Sequence, residues 1–139
     1  MNAVDTNVFV YALDVNEPGK QAKAQALLNR LAGAQPTTVL PWQVAGELLN
    51  WLRKWEAAGQ VSSADVETRI RATLAMFPLV VPTARAFTVY FTLRSQYSLS
   101  HWDTMLLAAC KEANVTTLYS EDMQAGMNYD GVSVVNPFV

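Results

Sequence analysis

The chain has 139 residues, of which 51% are hydrophobic and 16% charged, with a formal charge of −2. That length suits one domain able to bury roughly two thirds of its unfolded surface, and the composition excludes a disordered chain. No apolar run approaches the ~20 residues of a membrane span, and the negative charge argues against a protein that grips duplex nucleic acid by bulk phosphate neutralisation.

The first predicted element is a buried strand ending at Asp5, in the run MNAVDTNVFVYALD. A carboxylate amid apolar residues is costly without a partner, a cation or water. Taken alone, Asp5 reads as the cap of the helix that follows, predicted from Thr6 to Leu13. Asp14 is expected to end that helix facing solvent. After the turn Asn16-Glu17-Pro18-Gly19, residues Ala24, Leu27, Leu28 and Leu31 repeat at helical spacing until Gly33 and Pro36. Thr37 to Leu40 is a short strand, and a helix begins near Pro41 and runs to about Ala58. Its apolar stripe is Val44, Leu48, Trp51, Leu52 and Trp55. At about 100° per residue Glu47 falls on the edge of that stripe and is expected to be partly buried, whereas Glu56 lies opposite and faces water.

Ser62 and Asp65 have capping-box spacing before a helix with Val66, Ile70, Leu74 and Phe77 on one face. Leu79 to Val81 is a further short strand between prolines. Thr83 is expected to cap the next helix, with Phe87, Tyr90 and Phe91 facing inward. Ser100 and Asp103 then open a helix as a capping box, which on its own explains Asp103 structurally. Cys110 lies in the apolar run of that helix and reads as a buried thiol; being alone, it excludes an intrachain disulfide and a cysteine-based metal cluster. Val115 to Tyr119 is a strand, Ser120-Glu121-Asp122 follows it, Gly126 to Gly131 is loop, and Val132 to Val135 is the last strand.

Strands alternating with helices predict an α/β protein, a three-layer α/β/α sandwich with a mostly parallel central sheet in one domain over residues 1–139. Ligands in such folds bind beyond the carboxyl ends of the strands, where Asp5 and Asp122 fall. Glu47 and Asp103 lie on helices that can pack against that edge. Carboxylates about 5 Å apart repel by roughly 3 kcal/mol per pair at an effective dielectric of about 20. A cluster of four therefore implies protonation or a bound cation. An all-oxygen ligand set favours Mg²⁺ or Mn²⁺ over zinc, and such an ion activates water for phosphodiester hydrolysis.

These motifs in this order resemble a PIN-domain ribonuclease, the VapC-type toxin of a toxin–antitoxin pair. The resemblance rests on VDTNVFVYALD, GELLN, SLSHWDTMLLAAC and LYSEDMQAGMNYDGVSVVNPF, and so spans nearly the whole chain. It implies a PIN-like fold and metal-binding catalytic acids at Asp5, Glu47, Asp103 and Asp122. In mechanism, Asp5 and Asp103 are expected to hold the principal metal directly, and Glu47 and Asp122 to complete the site directly or through bound water. Thr6, Asn7 and Ser120 match supporting residues. Glu121 competes with Asp122 for the fourth position, and Asp122 matches better, two residues after the strand-end serine. The resemblance also implies Mg²⁺ or Mn²⁺ dependence, cleavage of single-stranded RNA, a homodimer, and an antitoxin that covers the site. With no membrane span or leader-like segment, a cytoplasmic location is expected.

Two rival readings stand beside it. One is a phosphatase using Asp5 as nucleophile, disfavoured because Asn7 stands where a second aspartate is usual. The other is a non-catalytic PIN-like binding module. His101, second in its helix, is left out of the site. Trp42, Trp51, Trp55 and Trp102 raise the question of RNA stacking, although Trp51 and Trp55 at helical spacing better suit a core, a dimer or an antitoxin contact.

Overall fold

The computed structural model describes residues Met1–Val139. Its elements in chain order are β1 (Asn2–Val4), α1 (Thr6–Leu13), α2 (Pro18–Leu31), β2 (Thr38–Pro41), α3 (Trp42–Ala57) and α4 (Ser63–Met76). They continue as β3 (Leu79–Val80), α5 (Arg85–Gln96), α6 (His101–Glu112), β4 (Thr117–Tyr119), β5 (Asn128–Tyr129) and β6 (Val132–Val135). The six strands form one sheet in the order β3-β2-β1-β4-β6-β5, parallel throughout except for the terminal β5–β6 hairpin. Helices cover both faces, giving the predicted α/β/α sandwich. No helix is long and apolar enough to cross a membrane.

β1 is central, with Ala3 in register with Val39 of β2 on one side and Leu118 of β4 on the other. All three residues of β1 are buried. A strand covered on both faces needs a continuous apolar run rather than alternation, which is why Ala3 and Val4 precede Asp5 without a polar break. Val8, Leu48, Leu52, Leu106 and Leu107 bring the helix faces onto this sheet, and Phe9 meets Phe77 edge to face at 5.9 Å. Cys110 is buried as expected, and desolvation pushes its thiol up to about 12.

The structure departs from expectation where a helix buries only a narrow face. On α5 the buried residues are Ala86 and Leu93, while Phe87 and Phe91 are exposed. This helix packs on α6 rather than on the sheet, docking through Ala86 and Leu93. Leu74 of α4 is also exposed, and Val66 is the one buried residue of that helix. Thr83 stands one residue before the α5 cap position, which Ala84 occupies. Its hydroxyl donates instead to the Glu112 carboxylate at 2.6 Å. The segment 126–131 contains the two-residue strand β5, which is too short to leave a sequence pattern. The run from Val115 begins pairing at Thr117, and Val81 lies beyond β3.

Candidate active site

The chain leaves β1 at Val4, so Asp5 stands at the carboxyl edge of the central strand. Strand order reverses here, with β2 to one side and β4 to the other, and such a switch point opens a crevice between the strand ends. The Asp5 N–H donates to the Tyr119 carbonyl at 2.9 Å, which keeps β1 and β4 together at their exits. One carboxylate oxygen, Oδ1, accepts from the Thr6 N–H at 2.7 Å, and Oδ2 accepts from the Ser120 hydroxyl at 2.7 Å. Asp5 is therefore the cap of α1, as its local sequence predicts, and also a wall of the crevice.

Ser120 Oγ in turn accepts from the Asp122 N–H at 3.0 Å, and Asn7 Nδ2 donates to Asp122 Oδ2 at 3.1 Å. A closed ring of contacts thus ties the start of α1 to the exit of β4. Asn7 and Ser120 hold the two acids in place. Glu121 turns the other way, to an ion pair with Lys20, whose ammonium also donates to the Tyr11 hydroxyl at 3.2 Å. Partial desolvation is the largest single influence and raises the Glu121 carboxyl, but the hydrogen bonds from Lys20 and Tyr11 and the Lys20 charge together outweigh it and leave the group below its ordinary range. Of the two neighbouring acids, Asp122 is the one that faces Asp5.

Asp5, Thr6, Asn7, Glu47 and Asp122 line one cleft of about 950 Å³, together with Asp14, Arg69, Trp51 and Trp55. Burial raises the Asp5 pKa to about 6, against the bonds from Ser120 and Thr6, and the charges of Asp122 and Glu47 push it the same way as burial. Thr6 is buried and its hydroxyl has no hydrogen-bond partner. Glu47 is exposed, not partly buried as expected. The buried stripe of α3 is only Val44, Leu48 and Leu52. Trp51 is itself exposed, so the Glu47 side of the helix faces the open cleft.

Asp103 is third in α6, and its N–H donates to Ser100 Oγ at 3.2 Å. Its carboxylate does not return a bond, in contrast to Asp65, which accepts from the Ser62 N–H at 3.0 Å in a complete capping box. Capping therefore accounts for the Asp103 backbone and leaves its carboxylate free. Asp103 does not line the cleft with the other three acids. As the side chains stand, no three His, Cys, Asp or Glu groups lie close enough to share one ion. Asp14, expected outside, is half-buried and lines the cleft, while its Oδ1 accepts from the Asn16 N–H at 3.0 Å. The spacing of Asp14 to Asn16 is the sequence signal for that turn. Arg69, on a separate helix, left no such signal.

An α/β/α sandwich with an acid-lined cleft at the exit of its central strand belongs to the class of parallel-sheet proteins that act at their strand ends. The family profile of the PIN domain matches residues 3–125, and the chain belongs to that family. Solved structures share the fold. A toxin–antitoxin complex from Klebsiella pneumoniae superposes with a TM-score of 0.69 at 19% identity, covering 99% of this chain and 98% of that one. VapBC2 from Rickettsia felis, bound to a DNA fragment from its promoter, gives 0.67 at 14% identity, with 96% of each chain covered. The sarcin–ricin loop cleaving toxin VapC20 of Mycobacterium tuberculosis gives 0.64 at 14% identity, covering 88% and 90%. No curated protein is significantly similar in sequence.

Proposed function

We propose that this chain is a Mg²⁺- or Mn²⁺-dependent endoribonuclease, the toxin of a VapC-type pair. The observation that carries the proposal is the meeting of Asp5, Glu47 and Asp122, from three separate segments, in one cleft at the exits of β1 and β4. The donor set fits a hard divalent ion, since every candidate ligand is oxygen and the Thr6 hydroxyl is buried without a partner. Asp5, Glu47 and Asp122 would hold the ion once their side chains turn in to share it, with Asp103 as the fourth acid from the start of α6. When bound, it supplies water activation and neutralisation of phosphate charge.

The chain's own contribution is orientation. Thr6 and Ser120 fix both oxygens of Asp5, and Asn7 fixes Asp122, so these carboxylates are positioned before substrate arrives. The cleft presents Trp51, Trp55 and Arg69 beside the acids, a surface that suits an antitoxin segment covering the site. Several structures sharing the fold are toxin–antitoxin complexes. A homodimer acting on cytoplasmic RNA completes the reading.

The deciding experiment incubates the purified chain with single-stranded and structured RNA in Mg²⁺, Mn²⁺ or EDTA, alongside Asp5→Asn and Asp103→Asn. Cleavage is expected only with metal and only in the parent. Cleavage that persists in EDTA, or an acyl-phosphate trapped on Asp5, would replace this reading with another. Metal-independent RNA binding without turnover would leave a binding module.

A further inference from the structure

Asp5, Asp14, Glu17, Glu47 and Asp122 bring five carboxylates to the cleft, and Arg69 is the one basic residue in its lining. An arginine placed there to neutralise the acids would pair with one of them. Arg69 is in no ion pair. Asp65, one turn earlier on α4, is held below its ordinary range first by its bonds with Ser62 and only last by the Arg69 charge. The carboxylate of Asp65 is already engaged, accepting from the Ser62 N–H at 3.0 Å.

The local sequence explains why this arginine meets the cleft. The capping box at Ser62 fixes the start of α4, and Val66 is the buried residue of that helix. At about 100° per residue, Arg69 lies about 60° to one side of Val66 and Arg71 about 140° to the other. Arg71 accordingly pairs with Glu67 at 3.6 Å and lines a separate groove with Leu49 and Arg53. Two arginines of one helix thus meet different surroundings, and only one of them is free beside the acids.

That free charge says what it meets. The five carboxylates attract a cation or a basic segment, and Arg69 repels both, so its own partner is an anion. A strand of phosphates with a divalent ion on the acids satisfies the two together. The ion offsets the carboxylates, and the planar guanidinium takes a phosphate in its fork. Trp51, 42% exposed, shares the cleft with Arg69, and the Lys54 ammonium lies 5.1 Å from the centre of its ring. The α3–α4 wall therefore offers cations and an aromatic face, the combination that single strands bind.

We infer that Arg69 is a substrate-binding residue, holding a phosphate of the RNA strand beside the one that is cleaved. This role rests on the ribonuclease reading for its substrate class, yet binding is measurable without cleavage.

Anisotropy of a fluorescein-labelled single-stranded RNA of mixed sequence, in EDTA and at several NaCl concentrations, reads binding by the full chain. Initial rates in Mn²⁺ read KM and kcat. Arg69→Gln should weaken binding roughly 10-fold. It should also flatten the dependence of log K on log salt by about 0.7, one phosphate contact on a single strand. KM should rise by a similar factor with kcat near the parent value, because a flanking phosphate is held alike in ground and transition states. Arg69→Lys should keep the salt slope and most of the affinity, and Arg71→Gln should match the parent throughout. Should the metal-free acids keep RNA off the parent, the KM comparison decides alone.

Unchanged affinity and KM in Arg69→Gln overturn the role and leave this residue to the antitoxin contact. Equal losses in Arg69→Gln and Arg71→Gln also overturn it, since positive charge anywhere on α4 would then suffice. A fall in kcat with KM unchanged does the same. A parent that binds RNA through Arg69 but never cleaves it sinks the nuclease reading and leaves the role standing. A parent that neither binds nor cleaves RNA removes both.

Discussion

Both carboxylate oxygens of Asp5 are engaged, one by the Thr6 N–H and one by the Ser120 hydroxyl, and burial still raises its pKa to about 6. The folded protein thus holds this proton more tightly than the unfolded chain, where an aspartate titrates near 3.8. Stability from this group is full below the unfolded value and is lost as pH rises from about 4 through about 6. Above that window the ionised carboxylate costs roughly 3 kcal/mol in the metal-free protein. Asp5→Asn in EDTA is therefore expected to melt no lower than the parent at about pH 7, with any advantage fading as pH falls toward about 4. A clearly lower melting temperature at neutral pH would make Asp5 a structural cap alone. The two acids after Ser120 separate in the same way. Asp122→Asn should abolish metal-dependent cleavage, whereas Glu121→Gln, which loses only the Lys20 pair, should cut RNA at nearly the parent rate. The reverse ranking in a cleavage assay would exchange their roles.

Helix starts provide the comparison at the next scale. Ser62 and Ser100 both cap a helix through the N–H three residues on, at 3.1 and 3.2 Å. Alanine at either position should cost about 1 kcal/mol, or about 3–4 °C of melting temperature. Only Ser100→Ala should also slow cleavage, because the turn it loosens carries Asp103 while α4 carries no candidate acid. Equal cleavage in the two variants would detach Asp103 from the reaction. Element starts were legible in the sequence because caps and prolines act locally: Thr6, Pro18, Ser63 and His101 all begin helices near where the pattern places them. Helix facing was less legible. The inward prediction for Phe87 and Phe91 fails because hydrophobicity ranks residues by transfer from water, whereas α5 docks through Ala86 and Leu93, which fit close to α6. Sequence also reads Ser100–Asp103 and Ser62–Asp65 as the same motif, and only the three-dimensional bond pattern separates a complete box from a half box with a free carboxylate.

At the scale of the whole molecule, the cleft was legible to the extent that it follows from topology. Asp5 and Asp122 sit after the exits of adjacent parallel strands, so the alternation of strands and helices already brings them to one edge. Glu47 and Asp14 depended on how open the space between helices is, which no periodicity reports, and both faced differently from expectation. Asp103 depends on a side-chain orientation rather than on the fold, and it stands apart from the other three acids. The proposed ion links this arrangement to global stability. A ligand that binds only the folded state at about 100 times its Kd stabilises by about 2.7 kcal/mol. Mn²⁺ or Mg²⁺ should thus raise the melting temperature of the parent by several degrees, and sodium chloride at matched ionic strength should not, since screening alone does not bridge carboxylates. Asp5→Asn and Glu47→Gln should blunt the shift, while Glu56→Gln, on the water-facing side of α3, should leave it whole. Asp103→Asn is the informative variant: a blunted shift would mean that its free carboxylate reaches the ion, and a full shift would mean that the three cleft acids bind it without help. An equal shift in all five proteins would place the ion elsewhere on the surface, and no shift in the parent at any concentration would remove the metal from the mechanism.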